Sequence, residues 1–239
     1  MSWLDKISIE TILQLRDQFN ISTFVETGTF KGVNAKFQAQ HFQRIETCDI
    51  SEESLQIARE RLRSDTNVTI VQQSSPDFLR AFVERYRKDK RDDIVFIYLD
   101  AHFYDPALPP DEKWVVVNEL KALEGFEQCV ICIHDFDCEG LGHCCYDGQP
   151  LGWPLVREHV MKVNPNFFFY TNTRELCDIY TEKTIAHVSG ITLDEATLSN
   201  IQYAYTSDEK TYRGILYCTP EELDVDKYKL KKLEVENGS

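Results

Sequence analysis

The sequence predicts an α/β protein: a doubly wound, Rossmann-like, seven-stranded and mostly parallel sheet with helices on both faces and its last strand antiparallel. Three observations carry this expectation. Strand and helix patterns alternate almost without exception. The strand signals at Ile94–Leu99 and Cys129–Ile133 are nearly all apolar, as in parallel strands covered on both faces. Four strand ends carry glycine or acid residues immediately after the apolar run. With 239 residues and no repeat or Pro/Gly/Ser-rich linker, the chain is expected to form one domain over 1–239, with an N-terminal helix at 8–19, a core at 23–220 and a charged tail at 224–239.

Element by element, Ser8 caps a first helix whose apolar stripe is Ile9, Ile12, Leu13 and Leu15. A strand at Thr23–Glu26 runs into the glycine turn Thr27–Gly32, and Val33–Gln40 opens a helix. The strand Arg44–Cys48 ends at Asp49, and Ser51 caps a helix with Glu52 and Glu53 in its first turn, where the helix dipole favours acids. Val68–Gln72 is the third strand. Ser75-Pro76 then reads as a cap with proline at the first helical position, followed by Phe78, Phe82 and Tyr86 at helical spacing.

After the strand Ile94–Leu99, a proline-containing loop at 101–110 leads to a helix bearing Val116, Leu120 and Leu123. The strand Cys129–Ile133 precedes a glycine-rich loop, 139–152, whose length and glycine content imply mobility and make it a candidate lid, and a helix over Leu155–Val163. Strands at Asn166–Thr171 and Gly214–Cys218 complete the set, with 185–210 unassigned and the tail expected to be helical or loose.

Charge narrows the function classes. Twenty-six Lys+Arg against 40 Asp+Glu give a net charge of −14, which repels phosphate backbones and anionic lipid surfaces. The N-terminus does not read as a signal peptide, and no apolar run approaches the roughly 20 residues of a membrane span. The expected location is cytoplasmic. Five of the eight cysteines fall between Cys129 and Cys145, beside His134 and His143. A zinc site is one reading. Reduced, partly buried thiols are the other, because Cys129 and Cys132 lie on one strand and face opposite ways.

In a doubly wound sheet the turns after the strands line one carboxyl edge, where ligands bind. Here that edge carries Glu26-Thr27-Gly28, Asp49, Asp100 and His134-Asp135. Asp49 lies 21 residues after Gly28, about the spacing at which an acid after the second strand accepts hydrogen bonds from a ribose. A dinucleotide fingerprint needs a second glycine where this chain has Phe30, and Glu26 would repel pyrophosphate but favour an ammonium group. S-adenosylmethionine meets these demands better than NAD.

On the stretches FVETGTFKG, ETCDIS, VQQSSPDFL, YLDAHFYD and RGILYC, the chain resembles the class I S-adenosylmethionine-dependent methyltransferases over roughly residues 20–220. The acid-ended strands YLDAHFY and VICIHDFD look like those of metal-dependent sugar O-methyltransferases. The resemblance implies that Glu26, Thr27, Gly28 and Gly32 line the methionine part, that Asp49 binds the ribose, and that Ser74 and Ser75 lie near the adenine. It also implies Asp100 and Asp135 as metal carboxylates, with His134 standing where the first of two aspartates is common.

Physically, Asp100 and Asp135 on adjacent strand ends could converge on a divalent cation, Mg or Mn, with Asp137 or His134 as third ligand. Such an ion binds neighbouring hydroxyls and lowers the pKa of one. His102 is the candidate base. The bland counterpart is that these acids serve turn chemistry and the histidines are structural. Phe167, Phe168, Phe169 and Tyr170 are expected in the core, whereas Trp114, Trp153, Tyr104 and Tyr146 are candidates for walling an acceptor pocket.

The predicted function is therefore an S-adenosylmethionine-dependent O-methyltransferase of a sugar or glycan-like hydroxyl. Its rivals are a catechol-type enzyme and a non-catalytic binding module with a zinc-stabilised loop at 129–145. Expected partners are a small-molecule or glycan acceptor and a second copy of the chain in a homo-oligomer, with no nucleic acid and no membrane.

Overall fold

The computed structural model describes residues 6–101, 105–109, 112–138, 143–173 and 213–234. In chain order these form α1 (Lys6–Gln18), β1 (Thr23–Thr27), α2 (Val33–Gln38), β2 (Arg44–Asp49), α3 (Glu52–Arg61), β3 (Val68–Gln72), α4 (Ser75–Lys88) and β4 (Val95–Leu99). There follow α5 (Val115–Ala122), β5 (Cys129–His134), β6 (Cys145–Tyr146), β7 (Gln149–Pro150), α6 (Trp153–Val163), β8 (Phe168–Thr171), β9 (Ile215–Thr219), α7 (Val225–Tyr228) and β10 (Lys231–Lys232).

One sheet runs β10-β8-β9-β5-β4-β1-β2-β3. Strands β1 to β5 are mutually parallel, while β9 inserts antiparallel between β5 and β8. The strand order reverses between β1 and β4, the switch point at which such sheets bind ligands.

The alternation of side chains along each central strand builds two cores. Val25, Val95, Ile97, Leu99, Cys129, Ile131 and Ile133 face α4, α5 and α6 through Phe78, Phe82, Leu120 and Val160. Phe24, Phe96, Tyr98, Val130 and Cys132 face α1, α2, α3 and α7 through Ile12, Leu15, Ala35, Ala58 and Tyr228. Burial on both faces is why these strands read as continuous apolar runs. Cys129 and Cys132 thus lie on opposite sides of the sheet, and burial raises both thiols above their ordinary pKa. The Phe167–Tyr170 aromatics divide in the same way between the two faces.

The sheet has eight strands, not seven, because the charged tail is not loose. Asp224 caps α7 by accepting from the Asp226 and Lys227 amides, and β10 pairs with β8 through Lys231↔Thr171 and Lys232↔Tyr170. Ser8 does not cap α1 but is buried within it. Ser74 rather than Ser75 is the N-cap of α4, with Pro76 in its first turn. The loop expected as a lid contains the β6–β7 hairpin, closed by Asp147 and Gly148, both at positive φ as a type I′ turn requires. Leu151 and the amide of Asp137 tie this hairpin to the end of β5. The unassigned stretch 185–210 lies outside the described residues. Among the described residues no helix is long and apolar enough to cross a membrane.

Gly214 enters β9 where a Cβ would stand 2.0 Å from the Phe136 carbonyl oxygen. Gly214→Ala must therefore displace backbone. Urea denaturation is expected to show a loss of about 3 kcal/mol or more.

Candidate active site

The glycine turn after β1 is fixed by its neighbours. Gly28 has φ +81°, and a Cβ there would lie 2.7 Å from the Asp100 carbonyl oxygen, so only glycine lets the turn rest against the end of β4. Below it, the Asp100 amide donates to Thr27 Oγ1 at 3.2 Å. The amides of Gly28 and Thr29 both donate to the Cys48 carbonyl at 2.9 Å, and the Phe30 amide donates to Asp49 Oδ2 at 2.8 Å. Phe30 itself sits at φ 47°, a left-handed conformation unusual for a bulky residue. Three consecutive turn amides are thus engaged by β2 and do not form a phosphate cradle.

Asp49 is held from both sides, since its Oδ1 also accepts from the Ser51 amide at 2.9 Å. It borders a cavity of about 380 Å³ lined by Gly28, Phe30, Cys48, Asp49, Ile50, Gln73, Ser74, Ser75, Pro76, Asp100, Ala101 and Val115. Among the described residues, the charged members of that lining are Asp49 and Asp100. Gly28, Asp49, Ser74, Ser75 and Asp100, all singled out from the sequence, meet here. Ser74 donates to Asp77 Oδ2 at 2.5 Å, which with Arg80 holds the Asp77 carboxyl below its ordinary pKa.

Three expected members lie elsewhere. Gly32, at φ +73°, caps α2, and a Cβ there would press on Ala58 and Leu62, so it sets the packing of α2 on α3. Glu26 is 1% exposed, does not line the cavity and accepts hydrogen bonds from Asn34 Nδ2 (2.7 Å) and Thr47 Oγ1 (2.8 Å). Thr27 is buried beneath the turn. Burial, opposed by these hydrogen bonds, raises the Glu26 carboxyl from 4.5 to about 8.

Beside the cavity, Asp100, His134 and Asp135 are buried and each offers a ligand atom within 4.8 Å of the others. They form the sole such group of three or more His, Cys, Asp or Glu among the described residues, and no cysteine belongs to it. His134 ends β5, in register with Ile215 of β9, and its Nδ1 lies 3.0 Å from Asp100 Oδ1 and 3.6 Å from Asp135 Oδ2. Burial alone would lower the imidazole pKa, but Asp135 and Asp100 reverse this and raise it to about 9. Asp135 turns the chain at φ 54°, and its Oδ1 lies 3.2 Å from Arg213 Nε. One imidazole and two carboxylates fit a divalent cation of the Mn, Fe or Zn type as well as Mg.

Asp137 does not join this group. It is exposed and pairs with His143 at 3.4 Å, because the turn at Asp135 carries the chain away from the cluster. His102 and Tyr104 lie outside the described residues. Trp114 is buried against Tyr146, with ring centroids 5.0 Å apart, and Trp153 packs on Phe169 at 4.8 Å, so both tryptophans serve the core. The sequence reading missed Ile50, 62% exposed at the cavity. An apolar residue left in solvent directly after a strand-end acid was the available signal. It also missed Arg213, which no local signal ties to Asp135. Cys144, one of the clustered cysteines, has its Sγ 3.6 Å from Asp135 Oδ2.

No family model matches the sequence, and none of the curated proteins does. Solved structures similar to this chain include an rRNA methylase from Streptococcus thermophilus, at 11% identity and TM-score 0.48, covering 91% of this chain and 98% of that one. A Streptococcus mutans protein solved in complex with SAH has 12% identity and TM-score 0.48, covering 92% and 100%. A spermidine synthase from Thermotoga maritima has 14% identity and TM-score 0.49, covering 94% and 63%.

Glu26 makes the stability of the protein depend on pH. Its folded-state pKa lies above the ordinary value, so its contribution is complete below about 4.5 and is lost as pH rises through about 8. Glu26→Gln keeps the shape without the ionisation. Denaturation at pH 5 and pH 9 should show the parent chain losing a few kcal/mol more than the variant.

Proposed function

We propose that this protein is an S-adenosylmethionine-dependent O-methyltransferase, assisted by a divalent cation, that acts on a hydroxyl of a sugar or glycan-like acceptor. The observation that carries the cofactor is the engagement of the Gly28, Thr29 and Phe30 amides by Cys48 and Asp49, at the edge of a cavity whose charged lining among the described residues is acidic. A dinucleotide needs free turn amides or a cation for its pyrophosphate, whereas an adenosine carrying a sulfonium is favoured beside carboxylates.

Each residue then has a task. The Asp49 carboxylate, oriented by the Phe30 and Ser51 amides, keeps acceptor capacity for the two ribose hydroxyls. Ile50, Pro76 and Val115 offer apolar surface for the base, next to the Ser74 and Ser75 hydroxyls. Asp100, bordering both the cavity and the cluster, stands where the methyl donor and the acceptor would meet.

Asp100, His134 and Asp135 would hold the cation, with Arg213 fixing the Asp135 carboxylate. A bound divalent ion supplies Lewis acidity that lowers the pKa of a coordinated hydroxyl. His102, two residues past Asp100, is proposed as the base that takes the hydroxyl proton.

Transfer of a labelled methyl group from S-adenosylmethionine to panels of sugars, glycans and catechols tests this reading. Turnover on a sugar panel, abolished by a chelator and restored by Mn or Mg, is expected. Asp135→Ala should lower kcat by about a hundredfold or more with cofactor affinity retained. Asp49→Ala should weaken S-adenosylhomocysteine by about tenfold to a hundredfold. Full activity of Asp135→Ala would refute the metal-assisted step, and exclusive turnover of catechols would refute the sugar acceptor.

A further inference from the structure

Beneath the cofactor turn runs a chain of buried polar groups. Glu26 Oε1 accepts from Asn34 Nδ2 at 2.7 Å, and Asn34 Oδ1 accepts from Gln38 Nε2 at 3.2 Å. On the other side, Glu26 Oε2 accepts from Thr47 Oγ1 at 2.8 Å, and the Thr47 and Thr29 hydroxyls lie 2.7 Å apart. One carboxyl on β1 therefore holds the first turn of α2 and the middle of β2. Through Thr47 it reaches Thr29 of the turn itself. All five side chains are buried.

We infer that Glu26 is a positioning residue for the cofactor turn, acting through Asn34 and Thr47, and that it makes no contact with the ammonium group of the bound methionine moiety. This rests on reading the cavity as the S-adenosylmethionine site. A carboxylate that bound an ammonium would need an oxygen open to the ligand, whereas Glu26 is 1% exposed and both its oxygens face donors from α2 and β2. The residue does not line the cavity. Burial raises its pKa, as for a carboxyl shut away from solvent.

The turn it fixes presents Gly28 and Phe30 to the cavity, and the Phe30 amide orients Asp49. Loosening Glu26 should therefore disturb the adenosine end as much as the amino-acid end.

Calorimetric titration with two ligands separates the alternatives: S-adenosylhomocysteine, which carries the amino-acid group, and 5′-methylthioadenosine, which lacks it. Glu26→Ala is expected to weaken both by a similar factor, about tenfold. Glu26→Gln, which can still accept from Asn34 and donate to Thr47, should restore both to within about twofold. Thr47→Val, which touches neither ligand, should weaken both together, and it decides the matter should Glu26→Ala fail to fold. Loss of S-adenosylhomocysteine alone in Glu26→Gln, with methylthioadenosine unaffected, would overturn the inference and place Glu26 on the ligand's ammonium. Unchanged affinities in both Glu26→Ala and Thr47→Val would overturn it too. Failure of the unsubstituted protein to bind either ligand would instead refute the cofactor reading, and this inference with it.

Discussion

The site depends on one close contact, the seat of Gly28 against the backbone at Asp100 and Ala101. A single methyl group there would meet the Asp100 carbonyl oxygen at 2.7 Å. Because β1 and β4 are hydrogen-bonded neighbours at the point where strand order reverses, this contact joins the turn after one strand to the end of the next. With the turn held down, its amides point at Cys48 and Asp49 rather than outward. The orientation of Asp49, the acidic lining of the cavity and the nearness of Asp100 to both cavity and cluster follow from it.

The second constraint is electrostatic. Asp100 and Asp135 are buried carboxylates a few ångströms apart, an arrangement that needs positive charge. His134 and Arg213 supply it, one from the same strand end and one from the residue entering β9. The antiparallel insertion of β9 beside β5 brings Arg213 to this position. A cation bound by the carboxylates and the imidazole would do the same task with greater charge density.

Features written in local chemistry were legible in the sequence. The Gly28 turn, Asp49 after β2 and the Ser51 cap each depend on neighbours within a few residues or on a two-residue strand period, and the structure brings Gly28 and Asp49 together. The apolar runs of β4 and β5 identified a sheet covered on both faces. Features that depend on long-range pairing were not legible. Strand β10 is a Lys-Lys dipeptide with no apolar alternation, recognisable only once β8 stands beside it. Arg213 meets Asp135 across a turn of topology that no spacing reveals. The loop tryptophans resembled a ligand wall because loop position suggests exposure, yet Trp114 is buried in the core and the partly buried Trp153 packs against it. Glu26 stands at a strand end, where side chains commonly face ligands. Its oxygens turn to Asn34 and Thr47 because α2 closes over them.

The central claim is that the turn after β1 accepts an adenosine without phosphates. Calorimetric titration of chelator-treated protein with S-adenosylhomocysteine and, separately, with NAD tests it most directly. The account predicts saturable binding of S-adenosylhomocysteine, of order micromolar to tens of micromolar for a ligand of this size in a largely preformed cavity, and no binding of NAD. Binding of NAD without binding of S-adenosylhomocysteine would contradict it.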